Sequence, residues 1–296
     1  MARIAFLKGD KPDELSEAFK TVAGLKEINQ DDYELVLYRD VLFDISNNEV
    51  LVTWNGMDLA DFELVYLRDF QGYEFERNAI ATYLDSKNKA YVNSDVGTFQ
   101  HISKLTQYLA FAFNNVTIPR TLFGFGEVLL NAANEKLSYP VVAKGITANS
   151  GNDNFFVNNA EELATIIAEH GSKKLVVQEA IPNDGDYRLI VLGETVGCVY
   201  HRVAKAGDHR NNVSQGGDKE YVAVDSIEPA ILELAVRAAK AVHREICGVD
   251  IMLNTTNNQP VLLEANFNFG IRAIPGVISE ELYSLSEYLH NKAIKS

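Results

Sequence analysis

A chain of 296 residues exceeds one average domain, and a hydrophobic content of 47% is enough to build the cores of two packed units. Its formal net charge of -14 repels phosphate backbones and anionic bilayers at long range, which excludes a general nucleic-acid or membrane binder. The N-terminal apolar run is too short for a signal peptide, no segment approaches the ~18 apolar residues of a membrane helix, and Cys198 and Cys247 support neither a disulfide framework nor a thiolate metal site, so a cytoplasmic protein is expected.

In chain order, the first hundred residues alternate strand and helix patterns: strand 3–7, helix 12–23, strand 34–38, strand 64–67 and helix 75–87. This is α/β material with a parallel sheet. A boundary is expected at 93–97. A helix over 102–113 ends before Ile118-Pro119, because proline restricts the residue that precedes it. Strand 139–144, a small polar loop at 145–154 and strand 155–157 follow, then a helix over 160–169 stopped by Gly171 and a strand over 174–181. Strands 187–192 and 195–203 flank Gly193-Glu194, a two-residue turn with glycine first, as a type II′ hairpin requires. In that register Asp186 pairs with His201. A helix over 228–245 leads to a final hairpin, and an amphipathic helix over 280–292 is the last element.

The final hairpin carries the chemistry. Strand Gly248-Val249-Asp250-Ile251-Met252-Leu253-Asn254 is joined through 255–259 to Pro260-Val261-Leu262-Leu263-Glu264-Ala265-Asn266. Side chains alternate between faces, so Ile251, Leu253, Val261, Leu263 and Ala265 form an apolar face, while Asp250, Glu264 and Asn266 share the other with Met252 and Leu262. With a turn symmetric about Asn257, Asp250 stands opposite Glu264. Two carboxylates so placed repel unless a cation lies between them, and three hard oxygen ligands with room for water and phosphate suit Mg²⁺. A solvated face with incidental acids has the same pattern. A second feature runs against the acidic balance: between positions 201 and 210 stand His201, Arg202, Lys205, His209 and Arg210 with a single acid, Asp208, which is either a local anion site or a solvated charge run.

No Gly-x-x-x-x-Gly-Lys-Ser/Thr sequence occurs, and Gly124-Phe125-Gly126 lacks the third glycine of a dinucleotide fingerprint. Instead, the order Lys104, Lys144, Gln178-Glu179, Asp186-Tyr187-Arg188, Gly207-Asp208-His209-Arg210-Asn211-Asn212, Gly216-Gly217, Gly248-Val249-Asp250 and Glu264-Ala265-Asn266 resembles the ATP-grasp superfamily, and within it the RimK-like carboxylate-amine ligases. The resemblance covers about residues 90–275. It implies an α/β N-terminal domain over 1–95, then an α+β ATP-grasp fold over 96–296 with a central lid at about 119–181 and a C-terminal subdomain, ATP lying between these last two. It further implies that Lys104 and Lys144 neutralise nucleotide phosphates under a loop containing Ser150 and Gly151. The strand of Gln178, Glu179 and Ala180 would receive the adenine edge and Asp186 the ribose, unless an ion pair across the hairpin claims it. Arg210 would face the transferred phosphate with Arg202, Asn211 and Asn212 beside it, and Asp250, Glu264 and Asn266 would hold Mg²⁺ or Mn²⁺.

The implied reaction is ATP-dependent amide formation between a carboxylate and an amine of amino-acid or peptide substrates, with no nucleic-acid or membrane partner and a homo-oligomer left open. Arg68 and Arg272 are candidate substrate-carboxylate anchors. Two departures stand out. The loop after Lys144 reads Ala148-Asn149-Ser150-Gly151-Asn152-Asp153-Asn154 where the family is richer in glycine, and Asn266 is followed by Phe267-Asn268-Phe269-Gly270-Ile271-Arg272 in place of Ser-Pro-Gly, which implies a different acceptor. A nucleotide-binding regulator without turnover and a structural interaction protein are the competing classes.

Overall fold

Alternate residues of the first strand are apolar on both sides, Ile4 and Phe6 against Ala5 and Leu7, so it must be covered from two directions. The computed structural model describes residues 1–46, 49–68, 72–94, 103–146, 154–170, 174–203, 218–267, 269–271 and 279–295, and shows how this is done. The first unit comprises β1 (Arg3–Lys8), α1 (Pro12–Asn29), β2 (Asp32–Leu37), a meander of β3 (Val41–Ile45), β4 (Val50–Trp54) and β5 (Met57–Asp58), then β6 (Leu64–Leu67), α2 (Glu74–Ser86) and β7 (Tyr91–Val92). Its main sheet is parallel, in the order β2-β1-β6-β7. Ala5, Leu7, Val65 and Leu67 face a core with Ile80 and Leu84 of α2. Ile4, Phe6, Leu64 and Tyr66 face the opposite way.

α3 (Lys104–Phe113) leads to a second unit: β8 (Thr121–Phe123), α4 (Gly126–Lys136), β9 (Val141–Gly145), β10 (Asn154–Val157), α5 (Ala160–Glu169) and β11 (Leu175–Glu179). The strands pair antiparallel in the order β10-β9-β11-β8, over a core of Leu129 and Ala133 from α4, Leu163 from α5 and Val141, Ala143 and Val177 from the sheet. The third unit holds β12 (Asp186–Leu192), β13 (Thr195–Val203), β14 (Asp218–Val222), α6 (Pro229–Ala241), β15 (Ile246–Leu253), β16 (Pro260–Asn266) and α7 (Glu280–Ala293). Its antiparallel sheet runs β14-β13-β12-β15-β16. Leu189, Val191, Val199, Val249, Ile251 and Ala265 bury one face on Leu234, Ala235 and Ala238 of α6. Ile190, Leu192 and Cys198, on the other face, join Leu285 and Leu289 of α7 and Phe6 and Tyr66 of the first unit in a shared core. Among the described residues, no helix is long and apolar enough to cross a membrane.

Two register details correct the sequence reading. Gly193 takes φ 65° as the turn requires, but the β12–β13 ladder shifts at Gly197, so Asp186 pairs with Arg202 and not with His201. The β15–β16 ladder also shifts, between Asp250 and Ile251: the turn is not symmetric about Asn257, and Leu262, rather than Leu263, packs in the core, while the shift restores Asp250 opposite Glu264. Helix α1 continues through Gly24 to Asn29 because the missing side chain admits Leu282 of α7: a Cβ on Gly24 would lie 2.5 Å from Leu282 Cδ2. The helix expected to reach 245 stops at Ala241.

Candidate active site on the polar face of the third sheet

Strand alternation and the two shifted registers bring charged residues together in adjacent rows. One row sets Arg202 beside Asp186; the next sets Arg188 beside Asp250 and Asp250 beside Glu264. Arg202 Nε and Nη2 donate to the two Asp186 oxygens at 2.6 and 2.7 Å, and Nη2 also lies 3.0 Å from Asp250 Oδ1. Arg188 donates through Nη2 to Asp250 Oδ2 at 2.8 Å and through Nε to Oδ1. Asp186, Arg202 and Asp250 are buried, so these contacts lie in a medium where an unpaired charge is costly. Burial alone would raise the Asp250 carboxyl, but Arg188 and Arg202 outweigh it and hold the group below the usual carboxylate range. Burial pushes Asp186 up to about 6, against the pull of Arg202 and with the Asp250 charge adding to the rise.

Glu264 sits at the more open end of the row. Asn266 Nδ2 donates to Glu264 Oε1 at 2.9 Å and to Asp250 Oδ2 at 3.4 Å, bridging the two acids. Lys104, the first residue of α3, brings Nζ to 3.8 Å from Glu264 Oε2, and its backbone N–H donates to Ile146 O at 3.4 Å, just past β9. Lys144, on β9, is therefore close to the same charges. Burial pushes its ammonium down to about 8 and the Lys104 charge adds to this, while Glu264, Asp250 and Asp186 pull the other way. The like charges expected to repel at Asp250 and Glu264 are thus compensated within the chain, by two guanidinium groups and a lysine.

Of the residues singled out by the sequence, Lys104, Lys144, Asp186, Arg202, Asp250, Glu264 and Asn266 share this region. Arg202 is a buried strand residue, not part of a solvated loop, and its hold on both Asp186 oxygens favours the ion-pair role for Asp186 over a ribose contact. Gln178 is buried, with both amide atoms engaged: its Nε2 donates to Thr121 Oγ1 at 2.7 Å and its Oε1 accepts from Tyr108 at 3.4 Å. Glu179 accepts from the Arg120 backbone N–H at 2.9 Å and Ala180 follows at the end of β11. Arg68 is buried beside Phe269. Ser150, Gly151, Arg210, Asn211, Asn212 and Arg272, with Lys205, Asp208 and His209, lie outside the described residues. Sequence reasoning quoted Arg188 but gave it no role; its signal was position i+2 from Asp186, on the same face and opposite Asp250.

Among the described residues, no three His, Cys, Asp or Glu side chains converge as a metal cage. Two carboxylates and an amide leave coordination positions to water and phosphate, which fits Mg²⁺ bound together with a nucleotide and does not fit a metal held by protein alone.

A family model for the RimK-like ATP-grasp domain matches residues 103–282. Probable alpha-L-glutamate ligase 1 of Pseudoalteromonas atlantica is 26% identical over 262 residues, spanning 85% of this chain and 84% of the relative. A probable alpha-L-glutamate ligase of Vibrio parahaemolyticus is 26% identical over 240 residues, spanning 78% and 77%. Among solved structures, the ATP-grasp ligase PsnB complexed with a minimal precursor, Mg and ADP superposes with a TM-score of 0.74 at 17% identity, covering 98% of this chain and 97% of that one. The VanG D-Ala:D-Ser ligase of Enterococcus faecalis gives a TM-score of 0.69 at 16% identity, covering 99% and 98%. The fold is therefore ATP-grasp, with an α/β N-terminal part, and the chain is a ligase that belongs to the RimK-like ATP-grasp family.

Proposed function

We propose that the protein joins a carboxylate to an amine of amino-acid or peptide substrates, consuming ATP with Mg²⁺ and passing through an acylphosphate. The observation that carries this reading is the approach of Lys104 of α3 and Lys144 of β9 to Asp250, Glu264 and Asn266 on the third sheet. Lys144 and Lys104 neutralise the nucleotide phosphates as compact point charges. Asp250, Glu264 and Asn266 would hold Mg²⁺, which when bound screens the charge of the phosphates. Arg188 and Arg202 keep Asp250 ionised and fixed in direction, and the family resemblance assigns the transferred phosphate to Arg210, Asn211 and Asn212, outside the described residues. The backbone of Glu179 and Ala180 would meet the adenine edge, and the family resemblance assigns the phosphate loop to Ser150 and Gly151, outside the described residues. Because phosphoryl transfer needs positioning and charge neutralisation more than a protein nucleophile, these groups suffice. The names of the relatives make L-glutamate the first substrate to try, and two buried reduced cysteines suit the cytoplasm.

The test is ADP release with panels of acids and amines, with hydroxylamine added in parallel to capture an acylphosphate as its hydroxamate and free phosphate. Release that requires Mg²⁺, an acid and an amine is expected, with hydroxamate replacing the amide when hydroxylamine is the amine. Tight ATP binding without turnover on any pair would instead indicate a nucleotide-binding regulator.

A further inference from the structure

Arg68 follows β6 at the carboxyl end of the parallel sheet, the end at which open α/β sheets form ligand crevices. Its backbone N–H donates to Leu7 O at 3.2 Å and Tyr66 O at 3.1 Å, which fixes the chain there. The side chain is 9% exposed and lies between two rings, 5.8 Å from the Phe6 centroid and 5.4 Å from that of Phe269. Nη2 donates to Phe269 O at 2.5 Å. Among the described residues, Nη1 is buried with no partner in good hydrogen-bond geometry, and so is the Tyr66 hydroxyl, two residues earlier on the same sheet face, where it interacts with the Arg68 side chain.

A buried donor without a partner costs stability, so two neighbouring ones in a native fold call for an explanation. One carboxylate would satisfy both, since a guanidinium N–H and a phenol O–H each donate to a carboxylate oxygen, and the charge on Arg68 favours an anion over a neutral acceptor. The niche adjoins the charged row. Gly248 pairs with Asn266, and a Cβ built on Gly248 would lie 2.9 Å from Phe269 Cβ and 3.1 Å from Arg188 Nη1, so Phe269 bridges from Arg68 to the Arg188–Asp250 pair.

We propose that Arg68 and Tyr66 form a recognition site for a non-reacting carboxylate of an amino-acid or peptide substrate. This rests on the ligase reading and narrows its substrate class to molecules that carry a carboxylate beyond any that is activated. Calorimetry tests it with L-glutamate, L-aspartate, glutarate and glycylglycine as probes, with and without a non-hydrolysable ATP analogue and Mg²⁺, on the parent, Tyr66→Phe and Arg68→Met. At least one probe should bind the parent and weaken about tenfold or more in both variants, with nucleotide affinity unchanged. Tyr66→Phe removes a buried hydroxyl whose neighbour is the Arg68 side chain, so its Tm should fall little, and it carries the test if Arg68→Met fails to fold. Equal probe affinity in the parent and Tyr66→Phe, or no probe bound by a parent that binds nucleotide, overturns the proposal. A parent that binds a probe but no nucleotide, with probe binding weakened by Tyr66→Phe, would keep the niche and overturn the ligase reading alone.

Discussion

Arg202 is the residue on which the charged row depends, because it contacts two buried carboxylates at once. Removing it leaves Asp186 and Asp250 short of a partner in a medium where unpaired charge is expensive, so Arg202→Met should destabilise by ~3–5 kcal/mol in urea unfolding at pH 7. The pH dependence has a definite sign. Without Arg202, both acids have folded pKa values higher than in the parent; for Asp186, already raised to about 6, the folded state binds more protons than the unfolded state across that window, and stability falls as pH rises through it. The variant should therefore recover stability relative to the parent between pH 7 and pH 5, and a deficit that stays constant would contradict the network. Lys144 gives a second test. Its pKa of about 8 lies below the usual lysine value, and a nearby phosphate raises it, so nucleotide binding at pH 8 should take up about half a proton. Calorimetry in buffers of different ionisation enthalpy reads this uptake, which Lys144→Met should abolish. These residues were visible in the sequence as chemistry, but their partners were not: a one-residue shift at Gly197 replaced His201 with Arg202 opposite Asp186.

At the scale of elements, the hairpin β15–β16 depends on close approach at Gly248. Its absent side chain leaves room for Phe269 on one side and Arg188 on the other, and the nearest atom, Phe269 Cβ, is not the end of a flexible chain. Gly248→Ala should cost ~1–3 kcal/mol of stability and weaken nucleotide binding by displacing Arg188 from Asp250; full retention of both would remove the structural reason for glycine there. Elements with local stop and start signals were legible. Helix α5 runs over the expected residues because Asn159 caps it, accepting from the Glu162 backbone N–H at 2.9 Å. Strands β6 and β13 also match their expected bounds. The meander β3–β5 was missed because its apolar residues do not alternate inward: Leu42 and Ile45 are 63% and 71% exposed. Helix α4 was missed for a related reason, with Gly126 at its first position and Val128 exposed on its surface.

At the scale of the molecule, α7 ties the first and third units together, since Leu285 and Leu289 share one core with Ile4 and Phe6 on one side and Ile190 and Cys198 on the other. Leu285→Ala should lower stability by ~2–5 kcal/mol and leave a single unfolding transition; two separated transitions would show that the units do not share that core. This joint was hidden from the sequence, because an amphipathic helix does not state which sheet it will cover, whereas the ATP-grasp architecture was legible from the order of its charged motifs. The central claim is that the acidic hairpin binds nucleotide and metal together. Glu264 is partly exposed, so Glu264→Gln should change the stability of the ligand-free protein by no more than ~1 kcal/mol. The direct measurement is thermal unfolding of parent and Glu264→Gln with ATP, with Mg²⁺ and with both. The parent should rise in Tm most with both ligands and the variant should lose most of that rise; a folded Glu264→Gln protein that keeps the full Mg²⁺-ATP shift would contradict the account.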